Sequence, residues 1–194
     1  MSSGSQHPEP PRERRLSRRT WLGIGVPLAL VGGYFVVTAV IRMRVDGLIQ
    51  HSVGRPLPEF ALPDLAGRVW SPQDLRGRRA VLHFFRSRCH SCDAEAPALR
   101  ELEVALPADV VLLHVMTDVL LQVAPAESAV TIAGKHFARP VLMADRKFVD
   151  AFHSVDWSHV TPITYVVDAT GVIRFGLRGR QERASIESAL AAVR

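Results

Sequence analysis

The feature that most constrains the fold of this chain is the position of its two cysteines, between an apolar run and a helical pattern. Cys89 and Cys92 are the only cysteines in 194 residues. The preceding run, residues 80–85, predicts a short buried strand, and residues 93–106 predict an amphipathic helix. Cys89 is therefore expected in the turn before the helix. Free backbone N–H groups and the helix dipole stabilise a thiolate there.

Two thiols at this spacing form a dithiol that can close into a disulfide, and two arginines, Arg86 and Arg88, add positive charge nearby. A structural zinc site would need more ligands, but no second Cys-x-x-Cys and no His-x-x-x-His follows. A static disulfide would close a loop of only two residues and would contribute little stability. The pattern therefore favours redox exchange.

A second feature is an apolar segment near the N-terminus. Residues 21–41 carry no charged side chain, which is long enough for a helix to cross a hydrocarbon core of about 30 Å. Five arginines precede the segment and two follow it before Asp46, so the positive-inside rule predicts a cytoplasmic tail at 1–20 and an extracytoplasmic chain beyond. A cleaved secretory signal is the alternative, and residues 17–22 also resemble a twin-arginine export motif.

The formal charge of +5 comes mostly from these flanks. Residues 51–194 hold 17 basic and 16 acidic side chains, so the domain is nearly neutral and no nucleic-acid partner is implied. Membrane lipid around residues 21–41 is the partner that the basic excess predicts. Residues 42–53 are interpreted as a linker, and residues 54–194 as one globular domain.

Along this domain strands and helices alternate, as in a mixed α/β fold. Besides the two elements around the cysteines, a hairpin is predicted near residues 54–70. The further predicted strands are 109–116, 140–143, 163–167 and 172–177, and the further predicted helices are 126–137, 146–153 and 182–193.

The order of strand, Cys-x-x-Cys and helix, with Pro97 inside the helix and Thr161-Pro162 before a hairpin strand, resembles the thioredoxin fold. More narrowly, the chain is similar to the membrane-anchored extracytoplasmic thiol-disulfide oxidoreductases of the TlpA/ResA type. The motifs that carry this resemblance are Gly54-x-Pro56-x-Pro58-x-Phe60-x-Leu62-x-Asp64-x-x-Gly67, Cys89-His90-Ser91-Cys92-x-x-Glu95-x-Pro97, and Pro162-Ile163-Thr164 with Asp168-x-x-Gly171.

The resemblance implies roles for single residues. Cys89 would be the attacking thiolate and Cys92 the resolving thiol. Pro162 would be a cis-proline in a loop that, with Thr161, holds a substrate strand. His83 stands six residues before Cys89, where family members commonly carry a buried Asp or Asn, and it could accept the Cys92 proton.

His83 could equally be a core histidine bonded to backbone. Glu95 could act either as a proton relay or as a stabiliser of the first helical turn. His90 could favour the thiolate form of Cys89 and contact the substrate. Arg88 replaces the Trp of most relatives, which predicts a more basic docking surface.

The resemblance implies that no cofactor is needed beyond the Cys89–Cys92 disulfide and that no metal is bound. Partners would be extracytoplasmic proteins with thiols or disulfides, such as apocytochrome c, a copper-site assembly protein or a metalloenzyme with many disulfides, and a membrane or periplasmic thiol donor. A copper-delivery protein is the alternative, with His90 and His159 joining the cysteines. A peroxidase is disfavoured because residues 85–88 supply neither Thr nor Pro.

Overall fold

The computed structural model describes residues 18–152 and 160–193, with side chains from residue 25 onward. These residues divide into two units at the boundary between Arg42 and Met43. The basic tail before residue 18, the predicted helix end at His153 and the His159 of the copper hypothesis lie outside the described residues.

The first helix, α1, is longer than the predicted apolar span. It covers Arg18–Ser52, so residues 42–52, interpreted as a linker, are helical. Its segment Gly25–Ser52 is long and apolar enough to cross a membrane, a test that a signal sequence near the N-terminus also passes. In the second unit Val45 and Ile49, four residues apart on one helix face, are buried in the domain core, which explains why the helix continues.

A five-stranded mixed sheet forms the centre of the second unit. Its strand order is β5-β4-β3-β6-β7, with β3, β4 and β5 parallel and β6 and β7 antiparallel to their neighbours. A separate two-stranded sheet pairs β1 with β2. The bounds are β1 (Leu62–Pro63), β2 (Val69–Trp70), β3 (Arg79–Phe85), β4 (Val110–Met116), β5 (Val141–Met143), β6 (Ile163–Val167) and β7 (Ile173–Arg178).

Four α-helices complete the described part of the domain: α2 (His90–Ala105), α3 (Pro125–Lys135), α4 (Arg146–Phe152) and α5 (Arg183–Ala191). Two short 3₁₀ helices lie at Pro72–Leu75 and Asp118–Leu121. The central strand β3 is buried along almost its whole length, because core clusters cover both faces of the sheet. The predicted mixed α/β architecture is confirmed.

The hairpin predicted near residues 54–70 is present as the antiparallel pair of β1 and β2, although each strand is only two residues long. One local prediction was inaccurate, because α2 begins at His90 rather than at residue 93. The earlier start places Cys92 inside the first turn of α2, and Cys89 caps the helix.

Candidate active site

Cys89 and Cys92 are joined by a disulfide at the N-terminus of α2. Cys89 is the N-cap residue, and its sulfur accepts a hydrogen bond from the Cys92 backbone N–H at 3.2 Å. Cys89 retains 6% of its surface exposed and Cys92 only 1%. The two sulfurs are therefore unequal: an approaching thiol reaches Cys89 first.

The loop before β6 lies against the Cys89 sulfur. The Thr161–Pro162 peptide bond is cis. The Thr161 hydroxyl lies 3.5 Å from Cys89 Sγ, and the Thr161 carbonyl oxygen lies 3.8 Å from the same sulfur. Two residues 72 positions apart thus form one surface, since β3 and β6 are adjacent strands.

Arg86 connects to this surface through the same hydroxyl. Its Nε donates to Thr161 Oγ1 at 3.0 Å, so the hydroxyl hydrogen remains available to the sulfur. Arg86 therefore supplies the positive charge predicted near Cys89, and the Thr161 hydroxyl lies between its guanidinium and the sulfur.

Arg88 and His90, the two residues on either side of Cys89, are both exposed. Arg88 has a left-handed backbone with φ 55°, and its exposed guanidinium forms two 2.6 Å hydrogen bonds to Glu127. Glu127 offsets the positive charge that was expected to make the docking surface basic. His90 is exposed as the first residue of α2, next to Cys89.

A buried carboxylate that sequence reasoning missed holds the loop before Cys89. Asp118 accepts hydrogen bonds from the Ser87 backbone N–H at 2.7 Å, from the Ser87 hydroxyl at 2.6 Å and from the Ser128 hydroxyl at 2.6 Å. Asp118 is 3% exposed. These bonds tie the loop to the N-terminal half of α3 and so hold the residues just before Cys89 in place.

His83 and Glu95 are brought together inside the domain. His83 Nε2 lies 3.2 Å from Glu95 Oε2, and both side chains are fully buried. Glu95 also accepts the Gln181 backbone N–H at 2.9 Å. His83 is therefore paired with side chains, which differs from the alternative of a histidine bonded only to backbone.

Two further buried groups extend this pair and were not singled out from the sequence. His83 Nδ1 lies 3.0 Å from His114 Nδ1, and His114 Nε2 lies 2.9 Å from Glu103 Oε1. The register between β3 and β4 places His83 opposite His114. The available signal was one histidine in each of two largely apolar strands, with three glutamates, Glu95, Glu101 and Glu103, on the helix between them.

Comparison with known proteins identifies the family. The family model described as "AhpC/TSA family" matches residues 53–175, more than half of the chain. The thioredoxin-like protein YneN of Bacillus subtilis is 27% identical over 158 residues, which cover 80% of this chain and 88% of YneN.

Two further relatives match over shorter stretches. The thiol:disulfide interchange protein DsbE of Pseudomonas fluorescens is 36% identical over 90 residues, covering 43% of this chain and 48% of DsbE. The thiol-disulfide oxidoreductase ResA of Geobacillus kaustophilus is 32% identical over 91 residues, covering 47% of this chain and 49% of ResA. The chain thus matches about half the length of these two relatives.

Solved structures agree on the fold. A thiol:disulfide interchange protein of the thioredoxin family from Chlorobium tepidum superposes with a TM-score of 0.61 at 19% identity, covering 72% of this chain and 96% of that protein. A secreted disulfide oxidoreductase of Mycobacterium tuberculosis gives 0.57 at 21% identity, covering 70% and 96%. Together with the Cys-x-x-Cys disulfide at the N-terminus of α2, these matches place the chain in the AhpC/TSA family, as a thioredoxin-like thiol-disulfide oxidoreductase of the TlpA/ResA type.

Proposed function

We propose that this protein is anchored in the cell membrane by α1 and exchanges disulfides with extracytoplasmic proteins. The observation that carries the proposal is the inequality of the two cysteines: Cys89, at a helix N-terminus beside the Thr161–Pro162 loop, keeps 6% of its surface exposed, whereas Cys92 keeps only 1%. The apolar segment in α1 and the arginines before it support the anchored, outward-facing arrangement.

In the reduced protein, Cys89 would be the attacking thiolate. Its sulfur has three donors within reach: the Cys92 N–H at 3.2 Å, the Thr161 hydroxyl at 3.5 Å and the Ser91 hydroxyl at 3.5 Å. Hydrogen bonds to the charged form, together with the helix dipole, lower a thiol pKa. The geometry therefore favours the ionised state of Cys89.

The exchange proceeds in two displacements. The Cys89 thiolate attacks one sulfur of the substrate disulfide, forms a mixed disulfide and releases the other sulfur as a thiolate. Cys92 then loses its proton and attacks Cys89 Sγ, which closes the Cys89–Cys92 bond and releases the second substrate thiolate. Two electrons pass to the substrate. Run backwards, the same steps oxidise a substrate dithiol.

The loop around Thr161 and Pro162 would bind the substrate segment beside Cys89, and His90, which is exposed and follows Cys89 directly, would contact it as well. Glu95 and His83 would accept the proton of Cys92. Glu95 follows Cys92 by one helical turn, and its carboxylate is hydrogen-bonded to His83. No group besides the dithiol itself is required for electron transfer in this scheme.

Trapping tests the proposal. A Cys92→Ser variant in cell membranes is expected to accumulate mixed disulfides with envelope proteins through Cys89, separable on non-reducing gels and lost on reduction. Cys89→Ser is the matched control and should trap nothing. Equal trapping by both variants, or by neither, would contradict the assigned roles.

The copper-delivery hypothesis makes a different prediction. Reduced wild-type protein titrated with Cu(I) would bind one ion with loss of thiol reactivity, and Cys89→Ser would lose metal together with any exchange activity. The oxidoreductase proposal expects insulin disulfide reduction that depends on Cys89 in protein without bound metal.

A further inference from the structure

Four buried side chains form one continuous hydrogen-bonded chain between α2, β3 and β4. The three gaps are Glu95 Oε2 to His83 Nε2 at 3.2 Å, His83 Nδ1 to His114 Nδ1 at 3.0 Å and His114 Nε2 to Glu103 Oε1 at 2.9 Å. All four residues are 5% exposed or less. Such a chain in the core requires every gap to hold a proton, because unpaired buried polar groups are costly.

The outer end of the chain fixes the direction of the protons. Glu103 accepts the backbone N–H groups of Ala138 and Arg139 at 3.0 to 3.1 Å. Burial alone would raise the pKa of Glu103, but the hydrogen bonds from His114 and these two N–H groups outweigh it and lower the pKa. Glu103 is therefore an ionised acceptor, and His114 Nε2–H donates to it.

The middle of the chain follows from His114. Burial lowers the pKa of His114 to about 4, so the ring is neutral near pH 7. With its proton on Nε2, its Nδ1 accepts, and His83 Nδ1–H must be the donor. One remaining proton lies between His83 and Glu95. The three protons are thus aligned from Glu95 towards Glu103, the order that a proton needs in order to move along the chain.

The inner end of the chain reaches the reactive pair. Glu95 comes three residues after Cys92 on α2, which places the two side chains on one helix face about 5–6 Å apart at Cβ. The His83 ring stacks on Phe85 at 5.6 Å, and Phe85 packs in the apolar cluster that contains both cysteines.

The outer end reaches the surface. Ala138 is exposed and Arg139 half-buried, and the Arg139 guanidinium donates to the Glu103 backbone oxygen at 3.1 Å. The Phe137 ring stacks on His114 at 3.7 Å and separates that ring from solvent on this side. Arg139 is the charged group that faces Glu103 from outside the helix.

We infer that this chain carries the proton of Cys92 to Glu103 when Cys92 attacks the mixed disulfide. The Cys92 proton binds Glu95 as the proton between Glu95 and His83 moves onto His83, that of His83 Nδ1 onto His114, and that of His114 Nε2 onto Glu103. Cys92 loses one proton, Glu103 gains one, and Glu103 then releases it to water. His114 and Glu103 are positioning residues that act through His83 and Glu95, and the inference rests on the proposed resolving role of Cys92.

The test separates the two displacements with 5,5′-dithiobis(2-nitrobenzoate) and reduced full-length protein in detergent. Attack by Cys89 releases one nitrothiobenzoate, and attack by Cys92 releases a second. A Glu103→Gln variant keeps a side-chain oxygen as acceptor but binds no proton at neutral pH. We expect it to leave the rate of the first release within twofold of wild type and to slow the second about tenfold at pH 7. The loss is smaller than the roughly 10²- to 10⁴-fold of a direct general base, because Glu103 acts through His114, His83 and Glu95. The deficit should shrink at high pH, where hydroxide removes the Cys92 proton.

Two further variants separate the loss of proton binding at Glu103 from other effects of a substitution on α2. Glu103→Asp retains an ionisable carboxyl and should restore most of the second release. Glu101→Gln makes the same chemical change at an exposed position of α2 outside the chain, so it should leave both rates unchanged. If Glu103→Gln slows both releases equally, or if Glu101→Gln slows the second as much, the relay is wrong.

A measurement on the wild-type protein keeps the test independent of variant stability. In mixtures of H₂O and D₂O the rate of the second release should vary non-linearly with the deuterium fraction, because several protons move in one step. A linear dependence would overturn the relay. Absence of any Cys89-dependent release would instead contradict the proposed function.

Discussion

One hydroxyl group links an arginine to the reactive sulfur. Thr161 Oγ1 accepts from Arg86 Nε at 3.0 Å and faces Cys89 Sγ at 3.5 Å. Because the oxygen is already engaged by a cation, its O–H is polarised towards the sulfur. The charge of Arg86 can thereby act on Cys89 without a guanidinium occupying the surface where substrate binds.

Thr161→Val should therefore weaken the thiolate. In the reduced protein we expect the pKa of Cys89 to rise by about one pH unit, the effect of losing one hydrogen bond to a charged group. Thiolate absorbance at 240 nm against pH measures this. Thr164→Val is the control, because the Thr164 hydroxyl is buried with no hydrogen-bond partner among the described residues. An equal rise in both variants would contradict a role for the Thr161 hydroxyl.

The residues around the site differ in how far sequence could predict them. The cysteines and Thr161-Pro162 carry local motifs. His114 and Glu103 carry none. The β3–β4 register brings His114 against His83, 31 positions away, and the packing of α2 brings Glu103 against His114, contacts that no local pattern specifies. Asp118 was missed for the same reason: its partners come from two other segments.

At the scale of elements, one contact between the last turns of α1 and the domain is especially tight. A Cβ added at Gly176 in β7 would lie 2.5 Å from Ile49 Cγ2 and 3.2 Å from Tyr165 Cε1. Ile49 is 2% exposed. The glycine is therefore needed for close packing between β7 and the helix segment after residue 43.

Gly176→Ala should destabilise the domain by about 1–3 kcal/mol, because an extra methyl group overpacks a buried contact. Urea unfolding of the full chain in detergent measures this. Gly134→Ala is the matched control: Gly134 lies in α3 with open space around it, and alanine is the better helix former, so a gain of up to about 1 kcal/mol is expected. A loss in the control, or no loss at Gly176, would contradict this account.

The turn between β6 and β7 is held by one buried carboxylate. Asp168 accepts hydrogen bonds from Thr170, from the Val172 backbone N–H at 2.9 Å and from Arg174 Nε at 2.6 Å. Burial would raise the pKa of Asp168, but these donors outweigh it and lower the pKa from 3.8 to about 2. A depressed pKa gives stability that is present above pH 4 and lost as the pH falls towards 2.

Asp168→Asn should remove this contribution. At pH 7 the free energy of unfolding should drop by about 2 kcal/mol, and the difference from wild type should shrink as both are taken from pH 4 to pH 2. Glu187→Gln, which alters an exposed pair with Arg183, should change stability by less than about 0.5 kcal/mol. A difference for Asp168→Asn that stays constant with pH would show that the carboxylate charge is not what stabilises the turn.

Most elements were predictable from local pattern, within about three residues at their ends. Strands β3 and β4 are continuous apolar runs that fit only a sheet covered on both faces. Helix α1 was underpredicted, because its apolar side chains after residue 42 pack on the domain and leave no uniform hydrophobic run. The short strands β1 and β2 depend on the Asp64 carboxylate, which bonds the Arg68 N–H and the Trp70 ring N–H, a contact without a periodic signature.

At the scale of the whole molecule, charge is distributed unevenly along a chain whose domain is nearly neutral. Residues 1–20 hold five arginines and two glutamates, and residues 42–50 hold two arginines and one aspartate. The asymmetry lies on the two sides of the apolar segment 21–41, whose large described side chains are exposed, among them Leu28, Leu30, Tyr34 and Phe35. Charge bias close to such a segment, rather than total charge, decides orientation.

Replacing the five N-terminal arginines by glutamine should therefore disturb the orientation: Arg12, Arg14, Arg15, Arg18 and Arg19. In intact spheroplasts treated with an impermeant reductant and a polyethylene glycol maleimide, wild-type Cys89 should be labelled, because the proposed topology places the domain outside. The variant should lose most of this labelling and regain it after lysis. Replacing Arg42 and Arg44 instead strengthens the original bias and should keep full labelling. Equal labelling of all three proteins would mean that another signal sets the orientation, and labelling of wild type only after lysis would contradict an outward-facing domain.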